Sequence, residues 1–299
     1  MTEFLQQLVN GLSLGAIYAL IALGYTMVYG VLRFINFAHS EVFMVGAMIA
    51  WKLGQFLPHG TLWGGLLVLA AAMAGCALLG VTIERLVYRP LRGTATLNVL
   101  ITAIGVSLLL QSVFQHPRVF GATPQSFPDV FPETNLTLGG LSVSSNQLVV
   151  IIVAALLIVV LQLVVFRTRM GMAMRAVALN PAAAQLVGVN INAVISFTFA
   201  LGSALAGAGG VLYALNYPSV EPLMGVMPGL KAFVAAVLGG IGSIPGAALG
   251  GLILGTVETL AGGSAALSTY KDAIAFAVLI LILLCRPAGL LGRPATEKV

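Results

Sequence analysis

Three histidines (His39, His59, His116), two cysteines (Cys76, Cys285) and nine acidic residues are the whole stock of acid–base and metal-ligating chemistry in this chain of 299 residues. The histidines are scattered and have none of the spacing of a ligand set, so no metal site is expected. No nucleophile stands in a recognisable arrangement with a base. The phosphate-cradling pattern G-x-x-x-x-G-K-[ST] is absent, and none of the four lysines precedes Ser or Thr. The chain is therefore expected to be no enzyme and to bind no cofactor itself. If ATP drives its work, another subunit must hydrolyse it.

The polar residues that remain are notable for where they sit. Asn36, His39 and Glu41 lie near the start of an apolar segment. Asn216 ends a later one, with Glu221 just after it, and Gly239, Gly240 and Gly242 interrupt a third. A charge at mid-bilayer costs about 2.5–3.5 kcal/mol. Such residues usually face a cavity or a partner, which makes these eight the candidate lining of a translocation path. For Glu41 the alternatives are hydration near the membrane interface or neutralisation by Arg33 or His39. Lys231 and Glu258 are expected at the interface.

The setting is membrane. Hydrophobic residues make up 59% of the chain and charged residues only 8%, against about 25% charged in soluble domains. Mean hydropathy is +1.05. The expected fold class is all-α and polytopic. The net charge of +5 then reflects basic residues at cytoplasmic helix ends rather than a nucleic-acid partner. Both cysteines lie in apolar stretches, so no disulfide is expected, and no basic stretch precedes the first span as a signal peptide would require.

Apolar segments run at 8–32, 34–51, 62–83, 95–115, 148–166, 193–217, 232–257 and 273–285. The seventh is broken by GGIGSIPG into two short helices, giving eight or nine segments. Whether the second is a full span or re-entrant stays open. Arg33, then Arg85, Arg89 and Arg92, then Arg167, Arg169 and Arg175, then Arg286, Arg293 and Lys298 mark the cytoplasmic ends. The N-terminus lies outside and the C-terminus inside. The loop 116–146 is external, and its end reads as a hairpin around Gly139-Gly140.

The chain also echoes itself. Gly30-Val31-Leu32 matches Gly210-Val211-Leu212, and Asn36, Glu41 and Met44 match Asn216, Glu221 and Met224. After small slips Lys52 meets Lys231, and Thr82 and Glu84 meet Thr256 and Glu258. Four segments plus one linker segment would invert the second copy, as in many transporters. Glycines four residues apart (Gly11 and Gly15; Gly242, Gly246 and Gly250; Gly251 and Gly255) suit close helix packing. The alternative is that Gly239 to Gly246 lines the path.

Between the halves lies Arg167 to Asn192, the longest polar-tolerant stretch on the basic side. Within it Asn180 suits an N-cap, Pro181 the first helical position, Ala182 to Ala184 the helix body, and Gly188 a C-terminal stop. A helix this short needs a partner or a surface to hold it.

The stretches NGLSLGAIYALIALGYTMVYG (Asn10–Gly30), INFAHSEVFMVGA (Ile35–Ala47), ERLVYRPLR (Glu84–Arg92), KAFVAAVLGGIGSIPGAALGGLILG (Lys231–Gly255) and GLLGRP (Gly289–Pro294) closely resemble the H-type permease of bacterial branched-chain amino-acid ABC importers. The likeness covers nearly the full length and is weakest in the external loop. His39-Ser40-Glu41 stands where related chains often read His-Gly-Glu. The resemblance implies one transmembrane permease domain over 1–299. Its first repeat would span about 8–115, its linker helix 148–166, its cytoplasmic coupling loop 167–192 and its second repeat about 193–286.

The resemblance also implies a bacterial inner-membrane location. The partners would be an M-type permease subunit, two ABC ATPase subunits that use the ATP, and a periplasmic amino-acid-binding protein that delivers leucine, isoleucine or valine. Arg175, Asn180, Pro181, Ala184 and Gly188 look like part of the segment that such permeases push into a groove on the ATPase, with Ala183, Leu186 and Val187 as its apolar face. Rival readings are a urea or short-amide permease of the same superfamily, and an ATP-independent carrier or channel whose central helix lies on the membrane.

Overall fold

The computed structural model describes residues 2–57, 60–138, 140–264 and 266–292. Pro58 and His59, Gly139 of the expected hairpin turn, and the basic Arg293 and Lys298 lie outside the described residues.

The first half comprises α1 (Thr2–Leu32), α2 (His39–Gly54), α3 (Leu62–Ile83), a π-helical turn (Glu84–Tyr88) and α4 (Thr96–Gln115). The external loop carries β1 (Gln125–Ser126), β2 (Asn135–Leu138) and β3 (Leu141–Ser144). It is followed by α5 (Ser145–Arg167), α6 (Arg169–Leu179) and α7 (Pro181–Leu186). The second half holds α8 (Ile191–Asn216), β4 (Ser219–Val220), α9 (Val226–Gly239), α10 (Ile244–Gly262), a 3-10 turn (Ser268–Tyr270) and α11 (Lys271–Cys285).

Among the described residues seven helices are long and apolar enough to cross a membrane. The protein is a polytopic all-α membrane protein. α2 and α9 are shorter than these spans. The 16 residues of α2 and 14 of α9 give about 24 and 21 Å of helix, short of a hydrocarbon core of about 30 Å. Both lie largely inside the bundle, where protein rather than lipid satisfies the chain at their ends.

Burial sorts the helices. In the spanning window of α1, 94% of residues are buried, against 6% in that of α11. α1, α2, α8 and parts of α9 and α10 form the core, while α4, α5 and α11 turn apolar faces outward. The packing follows an exchange rule. α1 packs most extensively on α10 and α8 on α3, and α2 lies against α8 as α9 lies against α1. Swapping α1 with α8, α2 with α9 and α3 with α10 maps these contacts onto one another.

Small residues make the closest of these contacts possible. α10 has two such seams. Gly251 and Gly255 meet Ala19 and Gly15 of α1, while Gly246 and Gly250 meet Gly239 and Ala235 of α9. For Gly246, Gly250, Gly251 and Gly255 the four-residue spacing is thus helix packing, whereas Gly242 lies in the turn between α9 and α10 with open space around it.

Polar caps set the helix starts. Ser144 and Gln147 form a reciprocal capping box at α5, and Thr61, Thr168, Asn190 and Ser243 cap α3, α6, α8 and α10. β2 and β3 pair antiparallel as the expected hairpin. The two-residue β1 pairs with β4, tying the external loop to the second half, and no sequence signal marked it.

Candidate functional site

The stretch 167–192 contains two helices, not one. Thr168 accepts a hydrogen bond from Gly171 N at 3.0 Å and starts α6, which the sequence reading missed. Asn180 then ends α6 and caps α7, accepting from Ala183 N at 3.0 Å, with Pro181 at the first helical position. At the far end Gly188 has φ +86°. Its N–H donates to Gln185 O and that of Val189 to Ala184 O, both at 3.0 Å. This pair of bonds is a Schellman stop.

Ala184 is buried against the body, while Ala183, Leu186 and Val187 point away from it. Leu186 is 89% exposed and Val187 79%. Leu179, just before the N-cap, is also exposed, at 81%. Arg175 does not join them. It donates to the carbonyl of Val165 and lies over the Phe166 ring, 5.4 Å from its centre. Through these contacts it braces the corner between α5 and α6.

The eight candidate path residues do not form one cluster. Asn36 is buried and accepts from Tyr88 OH at 2.6 Å and from Ala38 N at 3.2 Å. His39 is buried edge-on to Tyr25, ring centres 4.7 Å apart. Its Nε2 has no hydrogen-bond partner among the described residues. Glu41 is also buried, and one oxygen accepts from Gln111 at 2.8 Å, Ser107 at 3.1 Å and Ser40 at 3.3 Å. Neither Arg33 nor His39 neutralises it. Ser107 and Gln111 belong to α4, whose large apolar side chains mostly face outward, and Ser40 to α2 itself.

In the second half Asn216 donates to Ser13 Oγ at 2.8 Å and borders a polar cavity of about 550 Å³ shared with Asn10, Glu133 and Asn146. Glu221 is exposed, unlike its repeat partner Glu41. Gly239 packs against Gly246. Gly240 and Gly242 take φ +102° and +93°, values that favour glycine. The segment after α11 docks on this break, with Leu290 N and Leu291 N donating to Leu238 O and Gly239 O, each at 2.9 Å.

Two buried carboxylates answer each other across the halves. Glu84, at the end of α3, accepts from Arg92 and from Ser196 of α8 at 2.5 Å. Glu258, towards the end of α10, accepts from Tyr18 of α1 at 2.9 Å and from Lys231 of α9 at 2.6 Å. Lys231 also reaches Asp272 at 2.7 Å. Each carboxylate thus ties the third long helix of one half to the first helix of the other. Lys231 and Glu258, expected at the membrane interface, are buried inside the bundle as a pair. Partial burial draws the Arg92 guanidinium below its ordinary value, with Glu84 pulling the other way. It stays charged.

A family model described as the branched-chain amino acid transport system / permease component matches residues 7–283. The chain belongs to this permease family. It is 45% identical to the high-affinity branched-chain amino acid transport system permease protein BraD of Pseudomonas aeruginosa, over 99% of this chain and 98% of that one. It is equally similar, over the same shares, to the permease protein LivH of Escherichia coli K12. A probable branched-chain amino acid transport permease of Methanocaldococcus jannaschii is 30% identical over 91% of this chain and 88% of its own length. In this permease the sequence reading missed Tyr18, Arg92 and Ser196 as partners of buried carboxylates, and Asp272 as a second partner of Lys231. The pairing of Glu84 with Glu258 in the internal echo was the only hint of their shared role.

Proposed function

We propose that this permease is the membrane-spanning subunit of an ATP-driven importer that carries leucine, isoleucine and valine across a bacterial inner membrane. It works beside an M-type permease subunit and above two cytoplasmic ATPase subunits that use the ATP. A periplasmic amino-acid-binding protein feeds it. The similarity to branched-chain amino acid permeases over nearly the whole chain supports the substrate class.

The observation that carries the mechanism is α7. It is a two-ended, capped helix whose Leu186 and Val187 face away from the body at the basic end of the molecule. A helix of six residues has no stability of its own in water, and its exposed apolar face needs a covering partner. A groove on an ATPase subunit supplies one. Closure of the ATPases then moves 167–192 as a unit, and the Arg175 brace passes that motion to α5.

The basic ends face the cytoplasm, so the C-terminus is inside and the N-terminus outside. The halves 8–115 and 193–286 are inverted copies joined by the linker helix 148–166, and rocking of one against the other opens the path to either side. The exchange relation of α1–α10 with α8–α3 supports this reading. Transport of an apolar side chain suits a path with few charges.

The test is ATP-dependent leucine uptake by proteoliposomes holding the full complex, wild type against Leu186→Asp. Loss of both uptake and ATPase co-purification, with the permease pair still assembled, is the expected result. Normal uptake with the ATPase still bound would show that α7 is not the docking element.

A further inference from the structure

At the basic end of the bundle a cleft of about 400 Å³ opens between the end of α1, the turn after the π helix, the first residues of α4 and α8, and Pro181 of α7. Its polar wall is Arg33, Arg92, Thr94 and Thr96, its apolar wall includes Val99 and Ile195, and no acidic residue lines it.

Arg33 is the unusual member. Among the described residues it is the one non-glycine with positive φ, +57°. An L residue there is disfavoured and glycine is the easier choice. Its side chain is exposed, and no carboxylate among the described residues pairs with it. A strained backbone position that keeps an unpaired guanidinium points to a use for that charge. Arg92, by contrast, is held by Glu84 and by Asn192, with its Nε unpartnered. Counting Arg33 and Arg92 against Glu84 leaves one positive charge at the cleft. Beyond Thr96 the wall continues into the outward apolar face of α4, where Leu97 and Ile101 are exposed.

We propose that this cleft binds an anionic phospholipid of the cytoplasmic leaflet. Arg33, Thr94 and Thr96 hold its phosphodiester, and an acyl chain lies along Leu97 and Ile101. One net positive charge matches one phosphodiester, and basic pockets between helices on the cytoplasmic side are known to take such headgroups. A free anion would find the charge but leave the apolar wall uncovered. The proposal rests on the orientation given above. Because Pro181 forms part of the same cleft, the lipid would touch the segment that meets the ATPase.

The test is native mass spectrometry of the full complex in mixed micelles, offered phosphatidylglycerol or phosphatidylcholine, with inorganic phosphate as competitor. Wild type should retain phosphatidylglycerol over phosphatidylcholine by about fivefold or more, the scale of one basic residue near an anionic lipid. Arg33→Gly, which relaxes the backbone while removing the charge, should abolish the preference in a fully folded complex. Arg85→Gln, exposed and outside the cleft, should keep it.

Equal retention of the two lipids, or equal loss in both variants, would overturn the proposal. Displacement of the lipid by inorganic phosphate would mark a free-anion site and also overturn it. So would lipid found on the permease pair but absent once the ATPases bind, since a partner would then fill the cleft. Each of these readouts is independent of leucine uptake, so a negative result here leaves the importer reading standing or falling by its own test.

Discussion

Replacing Gly15 with alanine tests the most extensive helix contact in the molecule. A Cβ at Gly15 would lie 2.8 Å from Leu252 Cα and 3.0 Å from the carbonyl oxygens of Gly251 and Leu252. Carbon atoms rest about 3.5–4.0 Å apart, so α1 and α10 would have to part by roughly 0.7–1.2 Å. The obstacles are backbone atoms and cannot rotate aside. Forced separations of this kind cost about 1–3 kcal/mol. Alanine also gains about 1 kcal/mol of helix propensity over glycine, which hides part of the loss.

Gly30 supplies the reference. It lies in the same helix, and its Cβ would meet only Gly242 Cα at an ordinary 3.8 Å. Gly30→Ala should be neutral or slightly stabilising. The difference between the two variants, read by SDS-titrated unfolding in mixed micelles, isolates the packing cost at about 1–3 kcal/mol. Adding Gly11→Ala to Gly15→Ala should cost little more, because Gly11 meets the same helix at Thr256 and one separation relieves both. A difference below about 0.5 kcal/mol, the scatter for surface substitutions, would refute close backbone packing at this seam.

Glu84→Ala should cost about 3–5 kcal/mol by stranding Arg92, towards the low end because the Arg92 side chain is 23% exposed. Arg92→Ala in that background should restore part of the loss in a double-mutant cycle, and full additivity would deny the pair. Asn180→Ala removes the cap of α7 and should cost about 1 kcal/mol, read as weaker ATPase retention on a purification column. Asn180→Ser should bind as wild type does. Gly188→Ala forces a side chain into φ +86° and should weaken the same retention by about 1–2 kcal/mol, whereas unchanged retention in both would remove α7 from the contact.

The spans were legible where one face needed no explanation. α3 starts and stops where its clean apolar run does, because Thr61 caps it and Glu84 ends it. The break at Gly240–Ser243 was visible because glycine and proline clusters announce themselves in sequence. α7 was legible because its cap, proline and stop are local. The π turn was not. Its Arg89 N–H to Glu84 carbonyl bond of 2.7 Å belongs to a segment whose glutamate is drawn inward by Ser196, and no local pattern encodes that partner. α6 was missed for a similar reason, since its cap Thr168 sits inside a run of arginines that reads as loop. Lys231 and Glu258 looked interfacial one at a time, and Asp272 was not singled out. Their pairing depends on how α9, α10 and α11 fold back on each other, a relation 27 residues long for the first pair.

The bonds from Leu290 and Leu291 to the end of α9 impose an order on biogenesis. The carbonyls of Leu238 and Gly239 belong to buried residues and are satisfied by amides that the ribosome makes some fifty residues later, by simple subtraction of their positions. Until those residues emerge, the α9–α10 turn has acceptors with no donor, and a buried carbonyl left in that state is costly. The turn is therefore finished last, after every span has been made. A nascent chain stopped at Cys285 would hold all its spans and still lack the donors for that turn. A bulky fusion placed directly after Gly292 would act on the same turn.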